Sequence, residues 1–130
     1  MREGKPYINK GWDGNETNIS WEGQPYWVSE FGGIHWAPKT IDEQGNPVNA
    51  QASGESWGYG NSPRTLDEFY ARFEGLCNVL LDDPNMFGYC YTQLTDVFPE
   101  ENGMYTFDRQ PKFELTKLKA IQTRRAAIEG

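Results

Sequence analysis

The sequence predicts an α/β fold built on one βαβ unit, and three stretches carry that expectation. Residues 25 to 33, PYWVSEFGG, form an extended aromatic and β-branched run that ends in an acid and two glycines. Thr65 opens an amphipathic helix that Pro84 ends, and residues 86 to 94, MFGYCYTQL, form a second extended run. Strand, helix and strand in succession imply two parallel strands joined by a right-handed crossover. Both strands then deliver their exits to one edge of the sheet, where parallel α/β proteins build their sites.

Each element has a local cause. Pro25 starts the first strand, where a missing amide is tolerated. Tyr26, Trp27 and Val28 are strand formers expected to pack on both faces of the pleat. Gly32 and Gly33 then free the backbone just after Glu30, which puts that acid at the lip of the sheet. A carboxylate there is either a site group or an ordinary surface acid. In the helix, Thr65 and Glu68 fit a capping box. Leu66, Phe69, Tyr70, Phe73, Leu76, Cys77, Leu80 and Leu81 recur at three- and four-residue intervals as one broad apolar face. The second strand has apolar residues on both parities, as in a strand buried on both sides. Thr92, Gln93 and Asp96 emerge from it at the same edge as Glu30.

The remaining stretches read as connections and one further helix. Residues 1 to 24 lack periodicity and are read as an irregular lead-in to a single domain. Residues 32 to 64 are long and irregular, punctuated by glycine and proline but holding Trp36, Trp57 and Tyr59. Disordered tracts are poor in aromatics, so these rings are expected to wall a site. Residues 98 to 111 are expected to form a small hairpin with a tight turn at Asn102-Gly103. Pro111 leads into a last helix from Lys112, with Leu115, Leu118, Ile121 and, past Arg125, Ile128 as its apolar stripe. Its basic outer residues Lys117, Lys119 and Arg124 suit the helix macrodipole and imply no partner.

Composition narrows the function. In 130 residues, 12 Lys and Arg against 19 Asp and Glu give a net charge of -7. No basic run approaches what a phosphate backbone requires, which argues against nucleic acid as a partner. No apolar run is long enough to span a bilayer, and the first residues are too polar for a signal peptide. Aromatic residues make up 15% of the chain, five of them Trp, yet mean hydropathy is -0.78. Rings in polar company suit carbohydrate, because a sugar offers CH patches bordered by hydroxyls. Cys77 and Cys90 lie in apolar settings without metal spacing and are expected to be buried free thiols. Asn15 and Asn18 match the glycosylation acceptor pattern, which suggests an exposed loop.

Two stretches together resemble a known family. WVSEFGG, residues 27 to 33, and FGYCYTQLTDVFPEENGMYTFDRQPKF, residues 87 to 113, are similar to the closing part of the catalytic barrel in glycoside hydrolase family 2, and the similarity covers most of residues 25 to 122. That resemblance implies the last two βα units, strands 7 and 8 with their helices, of a (β/α)8 TIM barrel. It implies a retaining β-glycosidase, most like the β-galactosidases, that hydrolyses terminal β-linked sugars with Glu30 as nucleophile. Thr92 and Gln93 would contact the sugar, Trp36 would join them as a substrate-binding ring, and Asp96 would orient the loop after the strand. No cofactor and no metal are implied.

The departures from the family matter as much. Thr92 stands where better-known members carry a tryptophan, which leaves the sugar open. His35 lies two residues further from the acid than the histidine of classical β-galactosidases, so it is read as a loop residue beside Trp36. The family's acid/base glutamate follows an asparagine on an earlier strand. Asn15-Glu16 has those letters but no strand character. A complete barrel takes about 250 residues and eight strands, so the chain is expected to be a C-terminal fragment with an artificial start at Met1. Such a fragment is expected to be inactive alone and to self-associate through its cut edges. Two other readings remain: a non-catalytic carbohydrate-binding module, and an α/β interaction domain in which Glu30 is inert.

Overall fold

Two parallel strands joined through a helix form the centre of the computed structural model, which describes residues 13–16 and 22–130. The elements are β1 (Tyr26–Gly32), β2 (Thr40–Ile41), β3 (Pro47–Val48), α1 (Leu66–Leu81), β4 (Met86–Thr92) and α2 (Leu115–Gln122), with a 3-10 turn at Ala127–Glu129. Most of the expected lead-in, including Asn18, lies outside the described residues, whereas Asn15 is exposed. β1 and β4 pair in parallel from Tyr26 opposite Met86 to Gly32 opposite Thr92. The architecture is mixed α/β, and no barrel closes among the described residues. No helix there is long and apolar enough to cross a membrane.

The core follows from the periodicity of α1. Phe69, Phe73, Cys77 and Leu81, each four residues after the last, are its buried positions. Phe113 stacks on Phe69 at 3.8 Å between ring centroids, and Tyr91 of β4 meets Phe73 edge-on at 5.5 Å. Each fully buried ring of this kind contributes about 1.5–3 kcal/mol. The apolar face is narrower than expected: Leu76 is exposed, and so is Val79. At the N-terminus the Thr65 hydroxyl accepts from the Glu68 amide at 3.2 Å, but Glu68 accepts from the Arg64 amide, one residue before the cap. This differs from the reciprocal capping box by one position.

Several expectations are corrected. The strand pair is not covered on both faces: Trp27 is 57% exposed and Phe87 69%, because α1 and α2 cover only one side. Cys90 is exposed, while Cys77 is buried. β4 ends at Thr92, so Gln93 and Leu94 already belong to the following loop. The stretch after Gly32 is irregular but contains the β2–β3 ribbon, whose connection is closed by Asp42 accepting from the amides of Gln44 and Asn46. Asn102 and Gly103 are buried rather than at a turn tip; Gly103 lies where any side chain would strike the backbone of Thr95 and Asp96. The chain reverses instead at Phe107-Asp108, with Thr106 and Gln110 hydrogen-bonded across it. α2 starts at Leu115, after its Glu114 amide is taken by the Tyr70 hydroxyl at 2.9 Å. Ile128 is on the separate 3-10 turn and half-exposed.

Candidate functional site

The C-terminal end of the parallel pair gathers the loops after β1 and β4, and Glu30 lies on its rim. Val28 faces Tyr89 and Phe31 faces Tyr91, so three steps along β1 match two along β4. The extra residue is a bulge at Ser29-Glu30, the device by which a strand re-aims one side chain. Glu30 is exposed there, within the strand and two residues before its end. The strand-end acid read from sequence is therefore a bulge acid.

Two glycines let the loops close on this rim. Gly32, at φ 88°, lies under the Tyr91 ring, and Gly33, at φ 57°, lies under the Tyr59 ring; a Cβ at either position would fall 2.3 Å from ring carbons. Tyr59 is thereby held against Gly33, with its amide on the Gly33 carbonyl at 2.6 Å. Its hydroxyl donates to Glu30 Oε1. That hydrogen bond, with the charges of Glu30 and Glu100, pushes the phenol up to about 12. Tyr59 thus remains a donor across the neutral range. Trp57 stacks on Tyr59 at 6.1 Å and 26°, and both rings are partly open to solvent, 38% and 41%.

Buried polar groups fix the loop that carries these rings. His35 is 3% exposed, with Nδ1 at 2.9 Å from Ser62 Oγ and Nε2 at 2.8 Å from Ser56 Oγ. Burial lowers its pKa. Asn49 accepts from the Ala37 amide and donates to the carbonyls of His35 and Pro63. The loop after β4 is locked as firmly. Lys112 Nζ meets the Asp96 carboxylate at 2.7 and 3.0 Å, both side chains being about 5% exposed, and Asp96 also accepts from the Gly103 amide. Burial lowers the Lys112 pKa against the opposing pull of Asp96. The two loops join at Trp57, whose amide donates to the Pro99 carbonyl and whose carbonyl accepts from the Glu101 amide, each at 3.0 Å.

The residues singled out from sequence separate into three groups. Glu30 and Thr92 share the rim, Thr92 lying opposite Gly32 at the exit of β4. Gln93 turns its amide inward, donating to Asn102 Oδ1 at 2.8 Å, and Asn102 in turn donates to Glu100. Its peptide bond with Thr92 is cis. Trp36 is a core residue, 2% exposed and packed on Phe69 and Phe113, so its faces are closed to any ligand. Tyr59, which sequence reasoning placed only among the loop rings, is the side chain that reaches Glu30; the WGYG glycines were the available signal, since Gly58 also lies against the Gly33 carbonyl and the His35 backbone.

A cleft of about 480 Å³ between β4, the loop after it and α2 is lined by Cys90, Gln93, Leu94, Met104, Leu118 and Lys119 among others, and neither Glu30 nor Tyr59 is in its lining. No group of His, Cys, Asp and Glu suited to a metal ion occurs among the described residues. By architecture the chain is an α/β protein with its loops gathered at the exits of a parallel pair. No family model matches it, and no curated protein matches its sequence significantly.

Proposed function

We propose that this chain is the closing part of a (β/α)8 barrel, its last two βα units, in a retaining β-glycosidase of the glycoside hydrolase family 2 type, with Glu30 as the nucleophile. The observation that supports this most is the bulge that lifts Glu30 out of a parallel strand at its C-terminal end, with the Tyr59 hydroxyl holding one carboxylate oxygen. Catalytic residues of such barrels come from strand ends on that face. Among the described residues the sheet is two-stranded, and in this reading further strands and helices would pack beyond β1 and β4 and at the cleft beside β4.

In this reading Tyr59 fixes Oε1 and leaves the other oxygen to attack the anomeric carbon. The glycosidic C–O bond breaks as the C–O bond to Glu30 forms, and the leaving oxygen takes a proton from a second carboxyl group. Water, deprotonated by that same group, then hydrolyses the glycosyl ester. The second carboxyl group is assigned to a strand of the barrel outside this chain. Thr92 is assigned the contact with the sugar, while Gln93 supports the loop through Asn102.

Chemical rescue tests the assignment in the complete protein that carries this segment. With Glu30→Ala and an activated aryl β-glycoside, azide is expected to restore turnover and to give the α-glycosyl azide, because the small anion enters the face that the carboxylate vacated. A β-glycosyl azide would make Glu30 the acid/base instead, and no rescue would remove it from the chemistry.

A further inference from the structure

We propose that Trp57 and Tyr59 form a stacking wall for a neutral hexopyranoside beside Glu30. The choice of a sugar as ligand rests on the glycosidase reading; the wall itself rests on separate observations.

The two rings are stacked nearly parallel, at 26°, and both are open to solvent although the chain has buried cores available to Trp36 and Phe113. Because the two rings stack on each other and Gly33 lies against Tyr59, the apolar surface left to a ligand is chiefly the outer side of the indole, with polar edges at the rim where sugar hydroxyls would need partners. Their placement is rigid. Trp57 is bonded through its backbone to Pro99 and Glu101, and Tyr59 is bonded to Gly33 and seated where Gly33 has no side chain. A wall held this firmly loses little entropy when a ligand stacks on it. Its position is fixed relative to the carboxylate, because the Tyr59 hydroxyl bonds Glu30 directly.

Charge narrows the ligand class. The carboxylates of Glu30 and Glu100 both act on the Tyr59 phenol. A uronic acid stacked there would bring a third negative charge to the same rim, whereas a neutral hexopyranoside brings only hydroxyls that such carboxylates accept.

Fluorine NMR on the chain labelled with 5-fluorotryptophan tests this, with the Trp57 resonance assigned from Trp57→Phe. Titration with methyl β-galactoside, methyl β-glucoside or methyl β-mannoside into the millimolar range is expected to move the Trp57 signal with at least one of them and to leave the buried Trp36 signal in place. Methyl β-glucuronide is expected not to move it. Trp57→Ala, followed through a fluorinated Tyr59, is expected to weaken binding up to about tenfold while Trp57→Phe retains most of it; an unchanged Trp36 signal certifies that either variant is folded. No movement of Trp57 with any neutral glycoside, binding unaffected by Trp57→Ala, or equal binding of the glucuronide would overturn the proposal. The two readings fail separately: azide rescue without a Trp57 response removes the wall and keeps the nucleophile, and a Trp57 response without rescue does the reverse.

Discussion

His35 and Tyr59 lie on the same loop and use opposite strategies to hold it. Tyr59 is exposed and ties the loop to Glu30, 29 residues earlier in the chain. His35 is sealed between two serine hydroxyls, and burial holds its pKa below the ordinary histidine value, partly opposed by Glu101 and Asp96 and reinforced by Lys112 and Lys39. The folded state therefore binds its proton less readily than the unfolded chain. The stability that this linkage contributes is fully present above about pH 6.5 and is lost as pH falls from there toward the folded-state value. Urea unfolding midpoints are expected to drop across that window in the parent chain, and His35→Gln is expected to flatten the drop; an equally steep fall in the variant would assign it to other groups. At this scale the sequence is legible where a structural feature is carried by a local pattern. The strand, acid and glycines around Glu30 lie within nine residues, and the structure keeps them together, although it puts the acid on a bulge inside the strand rather than at its end. Trp36 was misread because nothing local distinguishes a tryptophan that turns into the core from one that stays out. Trp57 and Tyr59, in equally polar company, stay out.

Among the elements, α1 was the most legible because its period and its threonine cap are written in adjacent residues. The loop after β4 was the least legible. Asn102-Gly103 has the letters of a tight turn, but Asn102 is spent on Gln93 and Glu100 while Gly103 packs against Thr95 and Asp96. Its conformation is set instead by the Asp96–Lys112 pair, a contact 16 residues apart that no local pattern announces. Removing one partner leaves a buried charge alone, which costs about 3–5 kcal/mol. Lys112→Met is expected to destabilise the chain by that amount in denaturant unfolding, and Asp96→Asn combined with Lys112→Met by clearly less than the two single changes together. Additive losses would mean that the two groups act independently.

For the whole molecule, the uncovered face decides behaviour in solution. Trp27 and Phe87 lie against each other on the open side of the parallel pair, their ring centroids 5.9 Å apart, and both are mostly exposed. Burying them against a second surface is worth about 1.5–3 kcal/mol for each ring. The chain by itself is therefore expected to self-associate, seen as a weight-average mass that rises with concentration in sedimentation equilibrium. Trp27→Ser with Phe87→Ser is expected to suppress the rise; a monomer at all concentrations in the parent chain would contradict this.

The central claim, that the acid on the β1 bulge attacks an anomeric carbon, meets its most direct test in covalent trapping. In the proposed reading this chain is part of a larger barrel, so an activated 2-deoxy-2-fluoro-β-glycoside is incubated with that whole barrel, where the fluorine slows hydrolysis of the glycosyl ester enough to isolate it. Peptide mass mapping is predicted to place one fluoro-sugar on the peptide containing Glu30 and to find none on Glu30→Gln. A label on another carboxylate, or inactivation that leaves the Glu30 peptide unmodified, would contradict the account.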